Sequence, residues 1–338
     1  MRGISVFLFA GLLCADTATA VREYTLGHFK AAEAAAQDAL KKDSTNTEAI
    51  ALLAMIRAGE GDCAGQQALL QSSWRGSGEA VIRKLAGLAA VQCAIVQEHP
   101  ETGVAVLEEL KRAYPRDADV IYLGAKLYMK GWNTQVADMF AQTAASYRVN
   151  QLSGEIFETQ GNFTEAAAEY AKAIAKNPHA INLHFRRGRV LLLASHEPAA
   201  LEQARREFEA ELALNADDAA AIYQLGQISD AQGNRAEAAK RFEQAAALRP
   251  DFVEVLVTLA KLRMRDHRAT EAIQLLERSI TLQPANETAH YNLMLAYRSA
   301  GRVSDAAKEK SILDKLQKPP GGEFSDFLKK LGEKPVQP

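Results

Sequence analysis

Three stretches of the chain, residues 222–250, 256–284 and 290–316, echo one another at a fixed interval. Gly233, His267 and Gly301 stand 34 apart, Ala238, Ala272 and Ala306 keep the same interval, and so do Pro250 and Pro284. A period of that length, with apolar residues at helical spacing, a turn residue midway and proline at the end, describes stacked helical hairpins. Each hairpin can bury its apolar face only against its neighbours. In one first helix Ile222, Leu225 and Ser229 fall at i, i+3 and i+7 with Gly226 at i+4, a single face of a 3.6-residue helix. Gly226 and its counterpart Ala260 are small where the partner helix is expected to cross close by. Gly233-Asn234 and Gly161-Asn162 close one helix with a residue tolerant of positive φ and open the next.

The pattern resembles the tetratricopeptide repeat, whose Leu-Gly, Ala-x3-Phe and Pro positions are matched by Leu225-Gly226, Ala238, Phe242, Ala245 and Pro250. An earlier unit has Gly154, Phe157, Gly161, Phe163, Ala166, Tyr170, Ala173 and Pro178. Between them, residues 184–216 carry Gly188, Leu191, Ala204 and Phe208, with four extra residues around Ser195-His196-Glu197-Pro198. Fainter units precede these. Val120, Leu123, Gly124, Leu127, Gly131 and Phe140 make one, residues 79–115 and 50–71 make two more, and Gly27, Phe29, Ala32 and Ala39 look like half a repeat. The family's tryptophan is missing from every unit, Lys310 replaces the last aromatic, and His184 and Arg187 occupy positions that are usually apolar. The resemblance implies an all-α, right-handed superhelical solenoid of about eight or nine antiparallel helical hairpins, first helices lining a concave groove. Residues 21–146 are expected to be degenerate repeats, 147–317 clear ones.

The charge balance, 40 Lys+Arg against 42 Asp+Glu in 338 residues, lacks the basic excess of a nucleic-acid binder. A glycine-rich phosphate loop, a His-Glu-x2-His pair, a Gly-x-Ser-x-Gly elbow and paired metal-binding cysteines are all missing from the sequence. The seven histidines are scattered, with only His179 and His184 at a ligand-like spacing across a helix start. Asp117/Asp119 and Asp217/Asp218 stand where carboxylates cap first helices. Catalytic residues, metal and cofactor are therefore not expected.

The ends read differently from the middle. Met1-Arg2-Gly3, the apolar run from Ile4 to Ala15 and the small-x-small Ala18-Thr19-Ala20 together form an export leader over residues 1–20, with cleavage before Val21. A lipid-anchored form through Cys14 is the weaker alternative, because bulky Leu13 precedes the cysteine. The expected location is periplasmic or secreted, with no membrane span once the leader is removed. Residues 318–338 begin with Pro319-Pro320-Gly321-Gly322 and continue into Phe324, Phe327, Leu328 and Leu331 at i, i+3, i+4 and i+7. That spacing predicts a short amphipathic helix that either caps the last repeat or docks a partner.

Cys63 and Cys93 remain after the leader. By repeat register one begins a second helix and the other nearly ends the next first helix, so they are placed either to close a disulfide or to stand as two free, buried thiols. By resemblance to the family, the groove face carries Phe185, Arg186 and Arg189; Tyr223, Gln224, Gln227 and Asp230; Glu254, Val257, Lys261 and Arg265; and Tyr291, Asn292 and Arg298. Phe185, Tyr223, Val257 and Tyr291 would form an apolar stripe. Five cations against Asp230 and Glu254 would favour an acidic peptide or a chain-terminal carboxylate, and Gln227 and Asn292 would hold its backbone amides. The expected function is a non-enzymatic scaffold binding peptide segments of cell-envelope proteins. The alternatives are an accessory or regulatory subunit of an envelope enzyme or export complex, and a structural homo-oligomer built by stacking of solenoids.

Overall fold

A computed structural model describes residues 15–76 and 78–316, and every regular element among them is an α-helix. The chain falls into two compact units, divided between Ala144 and Ala145. The first contains α1 (Ala15–Thr25), α2 (Phe29–Lys42), α3 (Thr47–Gly59), α4 (Cys63–Arg75), α5 (Ala80–Val96), α6 (Glu101–Ala113) and α7 (Ala118–Gln142). The second contains α8 (Tyr147–Thr159), α9 (Phe163–Lys176), α10 (Leu183–Ala194), α11 (Pro198–Leu214), α12 (Ala219–Ala231), α13 (Arg235–Leu248), α14 (Val253–Arg265), α15 (Ala269–Leu282), α16 (Glu287–Ser299) and α17 (Val303–Leu316).

Turn chemistry sets the hairpins. Gly27, Gly61, Gly161, Gly233 and Gly301 all adopt positive φ between paired helices. His267, which replaces glycine in the 34-residue register, adopts the same left-handed conformation at φ 61°, and Glu98 does so at φ 62°. Asn46, Asp62, Asp117, Ser146, Asp218, Asn234 and Asn286 cap helix starts by accepting from backbone N–H groups. The connection before α11 is three residues long, like those of the neighbouring hairpins, so the extra length goes mainly into α11, which has 17 residues against 14 in α13 and opens with Pro198, where its missing N–H is not needed.

Within the second unit one packing device recurs. A glycine on the first helix of a hairpin lies under an aromatic ring of the second. A Cβ on Gly154 would stand 2.8 Å from Tyr170, one on Gly188 2.8 Å from Phe208, and one on Gly226 2.6 Å from Phe242. Those three rings are fully buried, so the glycines let the helix pairs approach closely enough to enclose them. His184 and Arg187, polar where the family is apolar, share Glu207 of α11: His184 Nδ1 lies 2.7 Å from Glu207 Oε2, and Arg187 pairs with Oε1. Glu211, buried completely, accepts from the backbone N–H of Asn182 at 2.7 Å and of Phe185 at 3.1 Å, and so caps α10 from a neighbouring helix.

The first unit is centred on Leu52, Met55, Leu70, Trp74, Val91, Leu107 and Leu110. Cys63, the first residue of α4, is bonded to Cys93 in the last turn of α5, with Cα atoms 5.3 Å apart. What reads as half a repeat around Phe29 is a whole hairpin, because α1 packs on α2. Helix α1 spans Ala18-Thr19-Ala20, and both Thr17 and Ala20 are buried in it. Residues 1–14 of the expected 1–20 leader, Cys14 among them, and the tail with Phe324, Phe327, Leu328 and Leu331 lie outside the described residues.

One expectation is corrected. The unit with Gly131 midway was expected to fold as a hairpin ending near Phe140. Instead α7 runs unbroken for 25 residues through Gly131. Gly131 stays helical, Thr134 Oγ1 donates back to Lys130 O at 3.1 Å, and Phe140, 16 residues after Gly124, is exposed rather than seated over it. Gly131 is followed by Trp132, where Gly161 and Gly233 are each followed by an asparagine at the start of the next helix. The sequence thus lacks a strong stop and restart signal at this point.

Candidate functional site

The second unit holds an open cleft of about 800 Å³. Its walls come from first helices of consecutive hairpins: Tyr223 of α12, then Glu254, Val257, Thr258 and Lys261 of α14, then Glu287 and Thr288 of α16, closed by the loop Gln283-Pro284-Ala285-Asn286. These residues converge because the 34-residue register sets Tyr223 and Val257 at equivalent points on successive first helices.

The floor is fixed. The Tyr223 ring packs 5.6 Å from the ring of Phe242 and 5.3 Å from that of Phe252, while its hydroxyl lies 3.1 Å from Thr258 Oγ1 and accepts from Gln227 Nε2. Val257 is buried in the same core as Leu293. The rim loop is held from behind, where the Pro284 carbonyl accepts from His290 Nε2 at 2.9 Å. His290 is itself buried, its Nδ1 2.6 Å from Glu309 Oε2 of α17. Asn286 caps α16 by accepting from Ala289 N at 2.8 Å and donates to Gln283 Oε1 at 3.0 Å. Loop, cap and floor are therefore held in place independently of any ligand.

Of the sequence-derived groove residues, Tyr223, Glu254, Val257 and Lys261 line the cleft and Gln227 supports it through the Tyr223 hydroxyl. Arg265 is engaged elsewhere, with Asp230 at 3.1 Å. On α16, Tyr291 is about half exposed, Asn292 Nδ2 donates to Thr288 O at 2.7 Å, and Arg298 is exposed. Phe185 packs 5.7 Å from Phe208, and neither it nor Arg186 nor Arg189 borders the cleft.

Two expectations change here. The apolar stripe is not a continuous surface: Val257 is buried and Phe185 and Tyr223 stack on core rings, which leaves Tyr291 as its exposed member. The excess of positive charge is also absent. Arg186 and Arg189 share Glu158 of α8, Arg186 also reaches Glu155 at 3.4 Å, and Asp230 neutralises Arg265. Glu155 and Glu158 sit one hairpin upstream on α8, outside the groove face, whereas Asp230 lies on that face and is taken up by Arg265. Among the charged residues that line the cleft, Lys261 stands against Glu254 and Glu287, and it makes no ion pair within the described residues.

Thr258 and the 283–288 segment were missed in the sequence because the proline that ends a repeat reads as a connection. In the structure that connection is a wall. No group of three or more His, Cys, Asp or Glu among the described residues is placed to hold a metal ion, and no described helix is long and apolar enough to cross a membrane.

Residues 153–203 match the tetratricopeptide repeat family model, and residues 194–309 match that of the bacterial transcriptional activator domain. Residues 153–203 thus carry a tetratricopeptide repeat, within a chain of paired helices that is similar to proteins of that kind. Similar solved structures include the MamA protein, 19% identical, with a TM-score of 0.42 over 57% of this chain and 98% of that one. Another is YrrB, described as a TPR protein with an unusual peptide-binding site, 16% identical, with a TM-score of 0.41 over 58% of this chain and 97% of that one. No curated protein sequence matches the chain.

Proposed function

We propose that this chain is an exported, non-catalytic scaffold that holds a peptide segment of a cell-envelope protein in the cleft of its second unit. The observation that carries this reading is the cleft itself, about 800 Å³ with a pre-set floor and rim, a size in the range of ligand sites. Its chemistry suits an extended segment. Tyr223 and Val257 supply apolar floor, Thr258 and Gln283 supply hydrogen-bonding groups, and Lys261 supplies a single unpaired cation. With Glu254 and Glu287 also in the walls, a segment rich in acidic residues is disfavoured. The favoured ligand carries one carboxylate, a chain terminus or a lone acidic side chain, opposite Lys261.

Export is supported by the leader-like first twenty residues and by the Cys63–Cys93 bond, since disulfides persist in oxidising compartments. The test is affinity capture from a native envelope extract with the wild-type chain, with Lys261→Glu in the cleft, and with Arg298→Glu on the exposed end of α16. The expected result is loss of the captured partner with Lys261→Glu alone, at unchanged helicity. Equal capture by all three would move the binding surface away from this cleft.

A further inference from the structure

Helix α7 of the first unit has two apolar faces. Val120, Leu123, Gly124 and Leu127 form one, which is buried in the unit. The other lies about a third of a turn round the helix and runs through Ile121, Ala125, Tyr128, Trp132 and Met139, at steps of four, three, four and seven residues, which keep to one side of a 3.6-residue helix. Ile121 is 57% exposed, Tyr128 47% and Trp132 53%, Met139 is half-buried, and Met129 and Phe140 are exposed on the flank. Large apolar side chains in a contiguous row of this kind mark an interaction surface.

We infer that this stripe pairs with the same stripe of a second copy of the chain, the two α7 helices lying antiparallel about a two-fold axis. The spacing argues for it. Ile121, Tyr128, Trp132 and Met139 are separated by seven, four and seven residues, a series that reads identically in both directions. An antiparallel copy therefore sets Ile121 against the partner's Met139 and Tyr128 against the partner's Trp132, a self-complementary arrangement of the kind a two-fold interface requires. Charge does not oppose it, because those four positions are uncharged and Lys130, near the axis, points away and pairs with Glu98 at 2.7 Å.

Length argues the same way. The row from Ile121 to Met139 is about 27 Å long at 1.5 Å per residue, and a straight partner of equal length is needed to cover it. Among the described helices α7 alone supplies one, the others having 17 residues or fewer. Half-exposed aromatic rings together with Ile121 and Met129 offer on the order of 450 Å² per copy, which puts the pair in the size range of weak, transient interfaces. Tyr128 is already held for the contact, its hydroxyl on Glu108 and its ring under Lys111 Nζ at 5.5 Å.

Sedimentation and cross-linking of the purified chain test this. The chain should sediment as a dimer at micromolar concentration, and Trp132→Asp should raise the dissociation constant at least tenfold with helicity unchanged. Under oxidation Ile121→Cys/Met139→Cys should give a covalent dimer, while Ile121→Cys alone should not. A wild-type chain monomeric at tens of micromolar, undiminished association by Trp132→Asp, or self-cross-linking of Ile121→Cys alone, as a parallel pair would give, overturns the proposal.

Discussion

Replacing Gly226 by alanine adds one methyl group at the tightest crossing in the second unit. The new Cβ would stand 2.6 Å from Phe242 Cε1, 2.8 Å from Cδ1 and 3.1 Å from Arg241 Cβ. Carbon atoms in good contact sit about 3.5–4.0 Å apart, so the overlap is about an ångström. Phe242 cannot swing aside, since its ring is fully buried and abuts Tyr223. The helices must therefore separate or the ring must leave its rotamer, at a cost of about 1–3 kcal/mol. Alanine in a helix interior returns about 0.5–1 kcal/mol relative to glycine. The net expectation is a loss of about 1–2 kcal/mol, or about 2–8 °C in melting temperature for a unit of this size. Circular dichroism with urea and thermal unfolding reads it. Gly59→Ala serves as the control, because no atom lies within 4 Å of its added Cβ and its stability should hold or rise slightly. Adding Phe242→Leu to Gly226→Ala should recover part of the loss, giving a non-zero coupling energy in the double-mutant cycle. If Gly226→Ala is as stable as the wild type, close crossing is not what the glycine provides. The change should also weaken partner capture, because a displaced Phe242 pushes on Tyr223 in the cleft floor.

Reducing the Cys63–Cys93 bond, which closes a loop of 30 residues, should cost the first unit about 3–4 kcal/mol, and comparison of melts with and without a thiol reductant checks it. Glu211→Ala should destabilise the second unit by about 1–3 kcal/mol, because it takes the acceptor from two part-buried backbone N–H groups at the start of α10; unchanged urea unfolding would remove the cap from the account of α10. Asp117, which caps α7, is held below its ordinary value of 3.8 first by the hydrogen bond from Lys84 and then by backbone N–H groups, against the opposing effect of burial. A carboxylate with a depressed folded pKa stabilises above its unfolded value and loses that contribution as the pH falls through the folded one, so its share of stability should fade below about pH 4. Asp117→Asn should flatten that acid limb in a pH series of urea midpoints, and an unaltered limb would place the acid sensitivity elsewhere.

The 34-residue register alone determined the helical hairpins, their turns and the places where a glycine must sit beneath an aromatic ring. Those features are local or periodic. A residue that must take positive φ and a small residue at a crossing leave their mark at fixed positions, and even His267 keeps the left-handed conformation of the glycines it replaces. The cleft was legible in part: Tyr223, Glu254, Val257 and Lys261 stand where helical phase predicts, whereas the 283–286 wall is a loop that phase does not describe. Tertiary structure decided which side chains remain free to act. In a stack of hairpins a first helix is covered on more than one side, so Val257 is buried although its phase matches the groove face. Arg186, Arg189 and Arg265 are neutralised by carboxylates 28–35 residues upstream, a pairing that depends on how neighbouring helices meet. Likewise α7 carries a hairpin's spacing, yet it runs straight, because one unbroken helix satisfies its backbone hydrogen bonds through Gly131 without a turn.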